Sequence, residues 1–287
     1  MKPSPFEYHR PESLEEALGM LARDPDESKV LAGGQSLVPM MNFRLASPTR
    51  LIDINRVPDL EGMSVSGDRL RVAARTRHID VQRNELPGPL GELLREAAGH
   101  VGHLPIRTRG TFGGSIAHCD AASEWCQVAA LLDAEMTVVS ASRGERTIQA
   151  ADFFQSIFTT SLELDEILVA VTLPVLGETW VTGIAEFARR AGDFGIVTAT
   201  TALNIVEGVV AEARISLGGV HEIPFRSEAA ETVLAGQAFT PELVVAAAEA
   251  AADEVDPPSD VHGDADYRRD LVRALLPRAV RSGMGAT

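Results

Sequence analysis

The sequence predicts an α+β fold, and three observations carry that reading. Strand patterns recur in pairs joined by short turns. Helical periodicity alternates with them irregularly. G-x-G-x-x-G, the fingerprint of a doubly wound parallel sheet, is absent. In chain order, SLEEALGMLAR (13–23) opens with Ser13 and Glu16 as a capping box and sets apolar residues at helical spacing. Lys29–Leu31 and Arg50–Ile54 read as strands flanking a short helix that Ser36 caps, with Pro39 in its first turn. Val65, the Gly67–Asp68 turn, Leu70 and Val72 predict a hairpin. Thr76 is read as the cap of a short helix, followed by longer helices over 88–102 and 123–132. A hairpin over 136–148 and a buried strand over 166–173, closed by Pro174, complete this stretch. Beyond the turn-rich VLGET, 198–206 and 210–217 flank a Glu207–Gly208 turn. Ser227 and Thr240 cap two helices, the second with Pro241 at its first position; 253–266 is an acidic loop and 267–281 a closing helix.

Two glycine-rich stretches carry the functional signal. In LAGGQS (31–36) the adjacent Gly33 and Gly34 let the backbone enter positive φ and let another molecule approach closely. Successive N–H groups in such a turn form a concave anion site. IRTRGTFGGSIAH (106–118) repeats the pattern with Gly110, Gly113 and Gly114, among Thr108, Thr111 and Ser115. Its freed N–H groups and hydroxyls read as donors, so the two loops are expected to close on an extended anionic ligand.

Together, AGGQSLVPMMNFRL and IRTRGTFGGSIAH resemble the flavoprotein (medium) subunit of molybdenum hydroxylases, the xanthine dehydrogenase and carbon monoxide dehydrogenase superfamily. The resemblance runs from FEYHRPESLEEAL (6–18) to YRRDLVRALLPRAV (267–280). It implies two N-terminal FAD-binding subdomains of the PCMH type, 1–56 and 57–176, and a smaller C-terminal domain, 177–287. It implies FAD held by Leu31, Ala32, Gly33, Gly34, Gln35, Ser36 and Leu37 from the first motif. From the second come Gly110, Thr111, Gly113, Gly114 and Ser115, with Ala117, His118 and Leu168 nearby. Glu124 stands where many relatives carry an aspartate that binds cofactor hydroxyls; its other reading is a solvated helix carboxylate. Arg189–Phe194 (RRAGDF) resembles a segment that approaches the flavin ring, or is a charged turn. The implied partners are a small subunit with two [2Fe–2S] clusters, a large molybdopterin subunit and a terminal electron acceptor. Readings of other classes are a nucleotide-binding module without redox work and a stand-alone flavin oxidase.

Composition narrows the field. The 287 residues carry a net charge of −15 at pH 7, which argues against nucleic acid or an anionic membrane as partner. No run approaches the roughly 20 apolar residues of a membrane span, and the start lacks a secretory apolar core, so a cytoplasmic location is expected. The two cysteines, Cys119 and Cys126, are too few for a four-thiolate cluster and read as small buried hydrophobes. His100, His103, His118 and Cys119 lack zinc spacing, and no catalytic triad or P-loop is present. Arg107–Arg109 and Arg189–Arg190 are the expected basic points on a docking face.

Overall fold

A computed structural model describes residues 1–285; residues 286 and 287, which end the expected C-terminal unit, lie outside the described part. The chain begins with β1 (Glu7–His9), α1 (Leu14–Leu21), β2 (Ser28–Leu31), α2 (Leu37–Asn42) and β3 (Arg50–Asp53). The strands form a parallel 3-stranded sheet in the order β1-β3-β2. Ser13 caps α1 by accepting from the Glu16 N–H at 3.1 Å, while the Glu16 carboxylate reaches back one residue further, to the Glu12 N–H at 2.8 Å.

The second unit contains β4 (Met63–Ser66), β5 (Arg69–Ala73), α3 (His78–Gln82), α4 (Gly88–His100), α5 (Leu104–Arg107), α6 (Phe112–His118) and α7 (Glu124–Leu131). It continues with β6 (Glu135–Ser140), β7 (Gly144–Gln149), α8 (Ala150–Phe153), β8 (Phe154–Ser156), β9 (Thr159–Thr160) and β10 (Glu166–Pro174). Its antiparallel 5-stranded sheet has the order β4-β5-β10-β6-β7. The third unit is an antiparallel 4-stranded sheet, β11 (Trp180–Phe187), β12 (Val197–Val206), β13 (Val209–Gly218) and β14 (Phe225–Arg226). Helices α9 (Glu228–Leu234), α10 (Pro241–Glu254) and α11 (Ala265–Gly283) accompany it.

Strand β10 joins the first two units. Ile167 and Val169 pack into the core under the parallel sheet, with Leu18, Ile52 and Val57. Leu168, Val171 and Leu173 pack into the second core, around Trp125 and Phe112. Strict alternation cannot put residues 168 and 171 on one face; a bulge between Leu168 and Ala170 shifts the register and makes it possible.

Candidate functional site

The first motif leaves the carboxyl end of β2 and turns into α2. Gly34 has φ +72, the conformation the double glycine predicts. Gly33 serves a close approach instead: a Cβ there would stand 2.6 Å from the Cα of Gly110. Ser36 corrects one expectation. It precedes α2 but has helical dihedrals (φ −100, ψ −50), and its hydroxyl makes no cap hydrogen bond. The N–H groups of Gly33, Gly34, Gln35 and Ser36 find no acceptor among the described residues. Consecutive unpaired N–H groups of this kind form a site for a phosphate oxygen.

The second motif is not the open loop that its glycines suggest. Residues 112–118 are helical, and Thr111 caps them by accepting from the Gly114 N–H at 3.1 Å. Most of its amides are spoken for: Phe112 N–H donates to the Thr76 carbonyl at 2.8 Å and Gly113 N–H to the Ala74 carbonyl at 2.9 Å. Of the freed N–H donors expected here, only that of Thr111 lacks an acceptor among the described residues, and the glycines let α6 lie directly on residues 74–78. A Cβ on Gly113 would stand 2.6 Å from the Ala74 Cα, and one on Gly110 would stand 2.6 Å from His78 Nε2. Thr76 does not cap α3; its hydroxyl exchanges hydrogen bonds with the Gly62 backbone at 2.9 and 3.0 Å. The face of α6 bearing Gly114, Ser115, Ala117 and His118 is half-buried. The His118 ring stacks on Phe158 at 4.8 Å.

His78, which sequence reasoning passed over, braces this arrangement. Its backbone N–H donates to the Gly110 carbonyl at 3.2 Å, and Nδ1 accepts from Trp125 Nε1 at 3.0 Å. Burial, assisted by Arg77 and Arg107, lowers its pKa to about 3, so the ring is neutral at physiological pH.

A cavity of about 410 Å³ opens beside the first motif, lined by Leu31–Gln35, Val38, Pro39, Tyr8, Asp53, Asn55 and Arg109. That size suits a small ligand or part of a larger one. Asp53 ends β3 at the carboxyl edge of the parallel sheet, where open sheets bind ligands. It accepts from the Tyr8 hydroxyl and from the Asn55 N–H at 2.8 Å. Burial works to raise its pKa, but these hydrogen bonds outweigh burial and lower it. Asn55 also donates to the Ala32 carbonyl at 2.7 Å and accepts from Arg77 at 2.6 Å. Arg77 in turn donates to the Arg109 carbonyl, tying the two motifs together. The Asp-x-Asn pair closing an apolar strand was the readable signal for this network; Tyr8 left none.

Of the other expected residues, Leu168 sits in the second core, and Ala117 packs partly buried against that core. Glu124 is 4% exposed at the start of α7, which rules out the solvated-carboxylate reading. Ser123 beside it meets Ser115 hydroxyl to hydroxyl at 2.8 Å, setting the start of α7 against α6. Cys119 and Cys126 are buried, and burial raises both thiols. No group of residues suited to a metal occurs among the described residues.

Residues 4–176 match the family described as the FAD binding domain in molybdopterin dehydrogenase, and 184–282 match the CO dehydrogenase flavoprotein C-terminal domain. The chain belongs to the FAD-binding medium subunits of the molybdenum hydroxylases. It is 39% identical over 280 residues to the nicotine 6-hydroxylase medium subunit of Paenarthrobacter nicotinovorans, covering 98% of each chain. Carbon monoxide dehydrogenase of Hydrogenophaga pseudoflava superposes with a TM-score of 0.95 at 35% identity, covering 100% of this chain and 99% of that one. Quinoline 2-oxidoreductase of Pseudomonas putida 86 gives 0.91 at 36% identity, with the same coverage. This medium subunit is thus an FAD-binding oxidoreductase component of a multi-subunit dehydrogenase. The unpaired amides of residues 33–36 fit the anionic centre of that cofactor. No helix among its described residues is long and apolar enough to cross a membrane.

Proposed function

We propose that this medium subunit takes electrons from the [2Fe–2S] clusters of a small partner and delivers them to a terminal acceptor, in the cytoplasm. Substrate oxidation belongs to a large molybdopterin-bearing partner. The observation that carries the reading is the row of N–H groups at Gly33–Ser36, without an acceptor among the described residues and beside Arg109. Those amides and Arg109 would hold the pyrophosphate of FAD, with Leu31, Ala32 and Leu37 shaping the turn. The half-buried face of α6 (Gly114, Ser115, Ala117, His118) would form the opposite wall, with Gly110, Thr111 and Gly113 setting its position. Glu124 would meet the cofactor's sugar-like portion; Leu168 would support the wall from beneath. When bound, FAD supplies storage for two electrons that can leave singly. The protein's part is to bind it, keep water from it and present one edge to a partner. We assign the cofactor to units 1–56 and 57–176, with 177–287 closing over it through the exposed Arg189–Phe194 turn.

The test is reconstitution. The purified chain should be yellow, with flavin absorbance that bleaches on chemical reduction. Mixed with candidate substrates and a dye acceptor it should show no turnover until the iron–sulfur and molybdenum subunits are added. Steady dye reduction by the chain alone would make it an independent oxidase. A colourless chain that binds ADP but not FAD would make it a nucleotide-binding module.

A further inference from the structure

Two adjacent glycines leave the first motif able to turn either its amides or its carbonyls towards a ligand. A peptide unit is planar and trans, so its C=O and N–H point in opposite directions, and a unit flanked by glycine turns over at little steric cost. The N–H groups of Gly33, Gly34 and Gln35 therefore face an anion only while the carbonyls of Ala32, Gly33 and Gly34 are held the other way. Each of these carbonyls has a donor. That of Gly34 accepts from the Val38 N–H at 3.1 Å, and that of Gly33 from Gln35 Nε2 at 3.1 Å. The Ala32 carbonyl accepts from Asn55 Nδ2 at 2.7 Å.

The two side-chain donors differ in how firmly they are held. Gln35 is exposed and belongs to the turn itself. Asn55 stands half-buried in the cavity wall, on a short turn (Ile54–Arg56) that follows β3. Its Nδ2 also donates to Asp53 Oδ1 at 2.5 Å, and its Oδ1 accepts from Arg77 Nη2 at 2.6 Å. Turning this side-chain amide over would set its oxygen against the Ala32 carbonyl and the Asp53 carboxylate, and its amino group against a guanidinium. Asp53 is fixed in turn by the Tyr8 hydroxyl.

We propose that Asn55, clamped between Asp53 and Arg77, is the positioning residue of the anion site: it keeps the Ala32 carbonyl turned away from the ligand, so that the Gly33 N–H is preset to donate to a pyrophosphate oxygen. The inference rests on the FAD reading above and adds the residue that fixes the direction of a donor. Released from Asn55, the peptide can present its carbonyl, which repels the same oxygen, and the preorganisation of the site is lost. Arg77 carries the effect to the second motif, since it also donates to the Arg109 carbonyl.

Asn55→Leu keeps the size of the side chain, adds no charge and removes its hydrogen bonds. Fluorescence titration of the cofactor-stripped chain should show FAD bound about ten- to a hundredfold more weakly, the worth of one hydrogen bond to a charged group. Two further readouts separate positioning from a general loss of stability. In the stripped chain, carbon NMR of the labelled Ala32 carbonyl should show the upfield shift of a lost hydrogen bond in N55L. At saturating FAD, phosphorus NMR should show the pyrophosphate resonances of N55L displaced towards those of free FAD. Arg226→Ala, altered at the far end of α7, is the control and should keep the parent's affinity and both spectra. If N55L does not fold, Asn55→Ser, whose hydroxyl is too short to reach Ala32, takes its place with the same expectations. A folded variant that binds FAD as tightly as the parent, or that keeps the parent's carbonyl or phosphorus resonances, overturns the proposal alone. A parent chain that binds no FAD overturns the function and the proposal together.

Discussion

A methyl group at Gly33 would press on the backbone of Arg109 and Gly110, which cannot yield as a side chain can. At Gly34 the added atom would meet only the ends of Leu31 and Val38, both at 3.2 Å, but at φ +72. The neighbours should therefore fail differently. Gly33→Ala should cost about 1–3 kcal/mol through overpacking and lose flavin as well. Gly34→Ala should cost about 1–2 kcal/mol of backbone strain and lose mainly flavin, because the turn that presents the amides changes shape. Urea unfolding and bound-flavin absorbance separate the two. His78 and Glu124 give the cofactor-stripped chain opposite pH responses. His78 falls from 6.5 to about 3 on folding, so below pH 6.5 the unfolded chain takes up a proton that the folded chain refuses. Stability is then lost as pH falls from 6.5 towards 3, on the order of 4 kcal/mol in all. Glu124 rises from 4.5 to about 8, so its contribution is lost as pH rises through that window. Between pH 4.5 and 6.5 the slopes oppose each other, and stability should plateau. His78→Gln should remove the acid limb and Glu124→Gln the alkaline one, read from urea midpoints across pH. Nothing in the sequence marks His78, because its importance depends on Trp125, 47 residues away in the chain.

Helix α6 shows how an element can be legible in composition and misread in conformation. Small residues in TFGGSIAH signal close approach, and close approach is found, but to residues 74–78 of the protein itself. Thr111→Ala should remove the cap of α6 and cost about 1 kcal/mol. Gly114→Ala should do similar harm by a different route, since its Cβ would stand 2.5 Å from the same Thr111 hydroxyl oxygen. Thermal unfolding of the two variants and their double mutant should show losses that do not add, because both act on one hydrogen bond. Other caps were plain from sequence: Ser13, Ser227 and Thr240 each accept from the N–H three residues on. Ser36 and Thr76 offer the same side-chain hydroxyl in the wrong setting, one on a helical backbone and the other engaged by Gly62. At the other end of the neighbouring helix, Arg226 carries the last carbonyls of α7 while pairing with Glu231. Arg226→Ala should lower stability by about 1–3 kcal/mol, measured by urea unfolding, through unpaired acceptors on both sides of the contact.

Across the whole molecule, the α+β class and the hairpin strands were legible, because hairpin turns and alternation are local; β1, β8, β9, β11 and β14 were not read from the sequence. The cavity was only half legible, since Tyr8, Asp53, Asn55 and Arg109 meet through the parallel pairing of strands distant in sequence. Charge was misjudged in part: Arg107 turns inward to the Val101 and Gly102 carbonyls at 3.1 and 2.6 Å, whereas Arg109, Arg189 and Arg190 are exposed. The bulged strand β10 has a consequence for how the molecule is made. Residues 167 and 169 complete a core whose other buried members all precede residue 61. Emerging from a ribosome at about 5–20 residues per second, the first unit waits for another hundred or so residues before its apolar floor arrives. The two units proposed to share the cofactor are thereby bound to one late strand and should become protected from proteolysis together. A nascent chain stalled just before β10 leaves the tunnel should be cleaved throughout its first 160 or so residues.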